Sequence, residues 1–327
     1  MPRSSPAPRS VPARNCLPVA SFDLAATLNS GQVFHWHEQD GGFLGLIGGE
    51  LVTVSQPEPG MLHVSAGHGD LVSRYLALDH DLMKMQRTLP KRDAHLKRAL
   101  QYSPGLRILR QPRWECLATF ITSSLKQVAH IRQISLTLRE RFGQPVATLN
   151  GKVLHTYPTP EALARAGEAA LRACGLGYRA KFLHQTASRI AEGNFDLETP
   201  VAVDDEAACE LLCTLPGVGP KIAQCTLLFA YERLGVFPID VWIERALREL
   251  YFAGTAENVS ARELREFAKT HFGPIGAMLS NGFFTTHVRA GRSLGCVKWF
   301  DSCRSAVNNL LWSTRKPKPS GLALSVR

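Results

Sequence analysis

Short apolar runs at strand spacing dominate the first quarter of the chain. Phe34-His-Trp36, Phe43-Leu-Gly-Leu-Ile47, Leu51-Val-Thr-Val54 and Met61-Leu-His-Val64 combine β-branched and aromatic residues, and Gly-Gly, Asp-Gly and Pro-Gly steps separate them. Such runs parted by turn-forming pairs predict an antiparallel meander between residues 19 and 89. From Lys91 onward the apolar spacing becomes helical. Leu106 and Leu109 with Trp114 through Ile121, then Ile131, Ile134, Leu136 and Leu138, then Leu163 with Leu171 carry the pattern. Gly and Pro elements (FGQP, YPTP, GLGY, LPGVGP) bound most of these helices. There is no internal repeat. The predicted fold class is α+β, with an antiparallel sheet domain over residues 18–95 followed by a mostly helical region over residues 96–312.

Both ends depart from this pattern. Residues 1–17, MPRSSPAPRSVPARNCL, are rich in Pro, Ser and Arg, and no acid precedes Asp23. That composition cannot bury enough apolar surface to offset its ordering entropy, so a disordered tail is expected. An organelle transit peptide has the same arginine-rich, acid-poor look, but the prolines work against an amphipathic helix. Residues 313–327 form a second basic tail by the same logic.

Composition adds the class of partner. Of 327 residues, 45% are hydrophobic and 20% charged, which describes a globular chain with a sizeable core. Lys and Arg number 38 against 28 Asp and Glu, a net +10 that suits a polyanion, either nucleic acid or an anionic membrane surface. The longest uncharged stretch, Thr270 to Val288, carries Gly, Pro, Ser, Asn, Thr and His and is no membrane span. Eight scattered cysteines without an apolar signal sequence point to reduced intracellular thiols. Cys296 and Cys303 have a C-x6-C spacing, yet no further cysteine follows to complete a four-cysteine cluster. Neither a metal nor a cofactor is expected.

The candidate chemistry lies between Asp204 and Leu250. Asp204 and Asp205 can cap a helix through Leu212. The chain then reads Leu215-Pro-Gly-Val-Gly-Pro-Lys221, and a second helix is predicted from Lys221 to Leu234. Two helices joined by Gly217-Val218-Gly219 bring backbone amides to the surface at a helix N-terminus, where glycines leave room for a phosphate. An ordinary helical turn is the plainer reading, and the basic chain favours phosphate. Lys221 falls in the first helical turn, where a cation opposes the macrodipole by ~0.3–1 kcal/mol and the neutral amine is the nucleophilic form. A nucleophile and a surface lysine are both open on position alone. Cys225, four residues on, is either a neighbour of that amine or a small core residue. Asp240 opens the helix Val241–Leu247, and a cap suffices to explain it; its second oxygen is free to face a cleft.

LPGVGPK followed by PIDVW resembles the helix–hairpin–helix DNA glycosylases, and within them the 8-oxoguanine DNA glycosylases. The resemblance runs from Phe22 to Arg289 and includes Ser30-Gly-Gln-Val-Phe-His-Trp36, Leu109-Arg-Gln-Pro112, Glu115-Cys-Leu117, Phe120-Ile-Thr-Ser-Ser124, Gly175-Leu-Gly-Tyr-Arg-Ala180 and Phe272-Gly-Pro274. It implies a TATA-binding-protein-like sheet ahead of a helical body. It also implies that a damaged nucleotide in double-stranded DNA is flipped into a pocket. Lys221 then attacks C1′, forms a Schiff base and permits β-elimination, with Asp240 promoting the step. The Gly31 carbonyl accepts from N7–H of 8-oxoguanine, which guanine lacks. Phe284 stacks on the base and Cys225 lies on its other face, while Tyr178 and Arg179 enter the vacated gap. A monomer bound to DNA inside the cell is implied, in the cytoplasm or nucleoid of a bacterium or the nucleus or mitochondrion of a eukaryote.

The departures concern recognition. Leu125 and Lys126 stand where the family carries Asn-Asn, and His130 stands where an arginine is expected; these positions read the cytosine opposite the lesion. Ser280 replaces the glutamine that reads the lesion's Watson–Crick edge, beside Asn281, and Trp242 replaces a phosphate-contacting histidine. Three functions follow: a glycosylase/lyase for 8-oxoguanine, the same chemistry on another oxidised or alkylated purine, and a non-catalytic damage-binding protein. Retention of both Lys221 and Asp240 speaks against the last, because binding alone needs neither.

Overall fold

Alternation along two neighbouring strands shows how the sheet buries one face. Val52 and Val54 point into a core together with Leu62 and Val64, while Thr53 and His63 between them face away. The computed structural model describes residues 14–102, 104–123, 127–149, 152–254 and 259–273. Its sheet contains β1 (Arg14–Pro18), β2 (His37–Gln39), β3 (Gly42–Ile47), β4 (Glu50–Glu58) and β5 (Met61–Ser65), antiparallel in the order β1-β5-β4-β3-β2. Helices α1 (Leu24–Leu28) and α2 (Gly69–Tyr75) supply Leu24, Leu28, Val72 and Tyr75 to the same core. Trp36 lies flat on β3: a Cβ at Gly45 would sit 2.5 Å from its ring, so only glycine admits it there. The indole Nε1 donates to the Tyr75 hydroxyl at 3.3 Å.

The structure departs from the expected elements in four places. The expected tail yields β1, whose Cys16 pairs with His63 and whose Leu17 pairs with Leu62. Its partner lies across the sheet, beyond the reach of local composition. Phe34–Trp36 is irregular and leads into β2. Short helices α2 and α3 (Leu82–Arg87) stand where strands were expected, the latter capped by Asp81 accepting from the Lys84 amide at 2.9 Å. A hairpin of β6 (Pro145–Leu149) and β7 (Lys152–His155) interrupts the helical region. The remaining tail residues and residues 313–327 lie outside the described residues.

The helical body has two cores. Helices α5 (Arg113–Ser123), α6 (Val128–Phe142), α7 (Pro160–Leu171), α8 (Arg179–Ala191), α9 (Asp205–Cys213) and α10 (Pro220–Ala230) enclose Leu117, Leu138, Leu163, Leu183, Leu212 and Leu227. A separate cluster joins Leu96 of α4 (Ala94–Tyr102) to Leu247 of α11 (Val241–Tyr251) and to Leu264 and Phe272 of α12 (Ala261–Phe272). No helix among the described residues is long and apolar enough to cross a membrane.

Asp93 ties the second core together. One oxygen caps α4 by accepting from the Leu96 amide at 2.9 Å. The other accepts from the Tyr251 hydroxyl at 2.7 Å and from His271 Nε2 at 2.8 Å. Burial pushes its carboxyl up, but these hydrogen bonds outweigh burial and hold it below the usual value. A depressed native pKa gives stability above the unfolded value that is lost as pH falls through the folded one. Asp93→Asn should therefore cost about 1–3 kcal/mol at neutral pH. That difference should shrink as pH drops below the carboxylate range, as measured by urea unfolding at several pH values.

Candidate active site

Helix α9 starts as expected, with Asp204 accepting from the Ala207 amide at 2.9 Å. After Thr214 the chain turns sharply: the Val218 amide donates to the Leu215 carbonyl at 3.1 Å, and Gly217 adopts φ +77°. A Cβ on Gly217 would lie 2.5 Å from Cβ of Phe182, so this glycine is required by packing against α8 as well as by its backbone angle. Helix α8 holds the hairpin further through its side chains. Thr186 donates to the Pro216 carbonyl at 2.9 Å, and Arg189 donates to the Thr214 carbonyl at 2.8 Å. Val218 is buried, whereas Gly219 is exposed with nothing near a would-be Cβ. Helix α10 begins at Pro220, so the amides of Lys221 and Ile222 have no carbonyl a turn earlier to pair with. Exposed Gly219 and these amides form the anion-ready end of the hairpin.

The half-buried Lys221 places its Nζ 5.7 Å from the centroid of the Phe120 ring, within cation–π range. Phe120 in turn stacks on Phe229 at 5.5 Å with an interplanar angle of 8°. One turn along α10, Cys225 is 5% exposed. Burial pushes its thiol up to about 11, the Lys221 charge pulls it down, and the Asp240 carboxylate pushes it up again. Both charged groups singled out in the sequence therefore act on the same thiol. Asp240 is indeed a cap: its Oδ1 accepts from the Ile243 amide at 3.0 Å and its carbonyl from the Glu244 amide at 2.8 Å. Lys221 and Asp240 are carried by helices of two different cores.

Gly31 belongs to the sheet domain and adopts φ +85°. The next residue, Gln32, is 1% exposed and is held by hydrogen bonds from both ends of its side chain. Tyr178 and Arg179 take different positions. Tyr178 is 52% exposed and meets Phe182 edge-on at 6.1 Å. Arg179 is buried, with its guanidinium 4.4 Å from the Tyr178 ring centroid. His130 is exposed and lies against the same loop, its Nε2 3.7 Å from where a Gly175 Cβ would be. Leu125, Lys126, Ser280, Asn281 and Phe284 lie outside the described residues, as do Cys296 and Cys303.

Sequence reasoning passed over Phe182 and Phe120. Phe182 lies one helical turn beyond Tyr178 and supports both it and Gly217; the i, i+4 spacing was its signal. Phe120 carries no local signal, since its meeting with Lys221 joins α5 to α10. Gly217→Ala should destabilise the protein by about 2 kcal/mol or more, combining a disfavoured backbone angle with the Phe182 clash. Gly219→Ala should stay within about 1 kcal/mol of the parent. Urea denaturation of the two variants makes the comparison.

Comparisons with known proteins bear on the family and the fold. Residues 16–117 match the family model "8-oxoguanine DNA glycosylase, N-terminal domain", and residues 118–270 match "HhH-GPD superfamily base excision DNA repair protein". The chain is 30% identical over 308 residues to a probable N-glycosylase/DNA lyase of Methanothermobacter thermautotrophicus, covering 84% of this chain and 96% of that one. Among solved structures it is similar to MBOgg1 in complex with a low-affinity DNA ligand, at 29% identity and a TM-score of 0.80, covering 87% of this chain and 98% of that one. It is also similar to the 8-oxoguanine glycosylase/lyase of Clostridium acetobutylicum bound to duplex DNA with cytosine opposite 8-oxoguanine. There the identity is 29% and the TM-score 0.76, covering 84% and 93% of the two chains.

Proposed function

The chain belongs to the 8-oxoguanine DNA glycosylases of the HhH-GPD base-excision repair superfamily, and on that footing we propose that it flips 8-oxoguanine from duplex DNA and excises it through a covalent lysine intermediate. The observation that carries this reading is the hairpin that sets exposed Gly219 at the start of α10 and half-buried Lys221 in its first turn, one turn before buried Cys225. The hairpin at Gly217, Val218 and Gly219 grips backbone phosphate with amides and so contributes to affinity without reading sequence. Tyr178 fills the space left by the flipped nucleotide, and Arg179 swings from beneath it toward the orphaned base.

In the flipped state the neutral Lys221 amine donates its lone pair to C1′. The bond from C1′ to the base nitrogen breaks, and the base departs with that electron pair. The Asp240 carboxylate stabilises the positive charge developing on the sugar. Loss of the amine proton and opening of the sugar ring give the imine. Removal of a C2′ proton then expels the 3′ phosphate by β-elimination. The Gly31 carbonyl selects the lesion by accepting from N7–H; guanine leaves that carbonyl unsatisfied in a dry site, at a cost of about 1–3 kcal/mol. Cys225 and Phe284 sandwich the base. Ser280, in place of the expected glutamine, favours another oxidised or alkylated purine as the second reading. The partner is double-stranded DNA, engaged by a monomer inside the cell.

Lys221→Gln should abolish borohydride trapping on lesion-containing duplex while leaving DNA affinity within about fivefold, because only the amine makes an imine. Asp240→Asn should slow base release about a hundredfold or more. Asn caps helices as well as Asp, so stability should hardly change, and a parental rate in this variant would reduce Asp240 to a cap.

Opposite-base selectivity should be weak. Leu125 has no side-chain hydrogen-bonding group, and His130 offers one contact where an arginine fork offers two. With each good contact contributing ~1–3 kcal/mol, single-turnover excision opposite C, T, G and A should differ by less than about a hundredfold. Leu125→Asn should sharpen the preference for C. A preference for C of several hundred-fold in the parent would assign the reading to Lys126, Gln127 or a backbone group.

A further inference from the structure

Residues 105–112 run without regular structure between the sheet domain and the helical body, yet they are laced to both. The Asp23 amide donates to the Gly105 carbonyl at 3.0 Å, and the Arg107 amide to Thr27 Oγ1 at 3.2 Å. The Leu109 amide donates to Gln32 Oε1 at 2.9 Å, while Gln32 Nε2 donates to the Arg107 carbonyl at 2.8 Å. Gln111, itself buried, closes the lacing. Its side-chain Nε2 donates to the Gln32 carbonyl at 2.8 Å, and its backbone amide donates to the Phe229 carbonyl of α10 at 2.7 Å. One residue thus holds the backbone of the residue that follows Gly31 with its side chain and the helix that carries Lys221 with its main chain.

We propose that Gln111 is a positioning residue that fixes the Gly31 carbonyl relative to the Lys221 amine, and so couples recognition of the lesion to attack on its sugar. The proposal rests on the reading of Gly31 as the group that tests the base. Glycine imposes little torsional preference, so the direction of the Gly31 carbonyl has to be set from the residue after it. Gln32 is anchored at both ends of its side chain and at its own carbonyl, and Gln111 supplies the carbonyl anchor. Without that donor the Gln32 carbonyl is left unsatisfied, and the backbone torsions at Gln32, which set the direction of the preceding Gly31 carbonyl, lose one of their restraints. Phe229, the other end of the tie, stacks on the Phe120 ring that faces Lys221.

An abasic site presents no base to read, which separates this role from a merely structural one. Gln111→Met keeps an unbranched side chain of similar length without the amide, and Gln111→Glu keeps the shape while replacing the donor with acceptors. In each variant, single-turnover excision from an 8-oxoguanine·C duplex should fall about tenfold or more. Strand scission and borohydride trapping on an abasic-site duplex should stay within about twofold of the parent, as should affinity for that duplex. Parallel loss of excision and abasic-site scission in both variants, with a lowered unfolding midpoint, would overturn the proposal, and so would unchanged excision. A parent enzyme that cleaves abasic DNA but spares 8-oxoguanine would instead overturn the reading of Gly31, and this proposal with it.

Discussion

The close approach of Gly217 to Phe182 is the contact on which the rest of the site depends. A side chain at position 217 would occupy the space of the Phe182 ring, so the hairpin can seat on α8 only because none is present. Once seated, its carbonyls at Thr214 and Pro216 are taken by Arg189 and Thr186. The start of α10 is thereby fixed, and with it the first-turn position of Lys221. The same Phe182 supports Tyr178 from its edge. The Gly217–Gly219 turn, the start of the helix that carries Lys221, and Tyr178 thus share one aromatic ring as their reference point.

The candidate site residues are carried by parts that fold around different cores. Gly31 comes from the sheet domain, Lys221 and Cys225 from the α5–α10 core, and Asp240 from the start of α11, whose apolar face packs with α4 and α12. Placing reactive groups on separate packed units keeps each one rigid, since a buried helix or a fully bonded loop has few alternative positions. It also makes the connecting residues matter more than their exposure or chemistry suggests. Asp240 shows the economy of this scheme: one carboxylate oxygen starts the helix, and the charge acts on the thiol beside the nucleophile.

What could be read from the chain follows the range of each signal. Caps and turns act over three or four residues, so Asp204, the Pro-Gly-Val-Gly turn and Asp240 were readable as they stand. The order of a strand-rich half before a helical one was equally plain. Strand β1 was not, because Arg14-Asn-Cys-Leu-Pro18 carries tail-like residues and becomes a strand only by pairing with β5. The β6–β7 hairpin hid in a region of helical spacing for the same reason. The resemblance set Arg179 beside Tyr178 in the gap left by the nucleotide; its burial depends on the helices packed around it and has no local signal. Phe120 and Gln111 stand inside runs that carry the family resemblance and Phe182 lies one turn beyond Tyr178, but their contacts with Lys221, Gln32 and Gly217 join distant segments and exist only in three dimensions.

Candidate residues carried by three cores have a consequence for heat. Each packed unit opens with its own free energy, and partial openings precede global unfolding. The reactive arrangement exists only in molecules where all three units are closed at once. Its population is therefore a product of three closure probabilities and is governed by the weakest. In the cluster of α4, α11 and α12 the hydrogen bonds of Asp93 add to the apolar contacts between helices, so loss of that ionised carboxylate lowers the fraction of molecules with all three units closed. On the proposed function, a damaged nucleotide contacting all three units would favour their simultaneous closure and so act as a stabilising ligand of the fold.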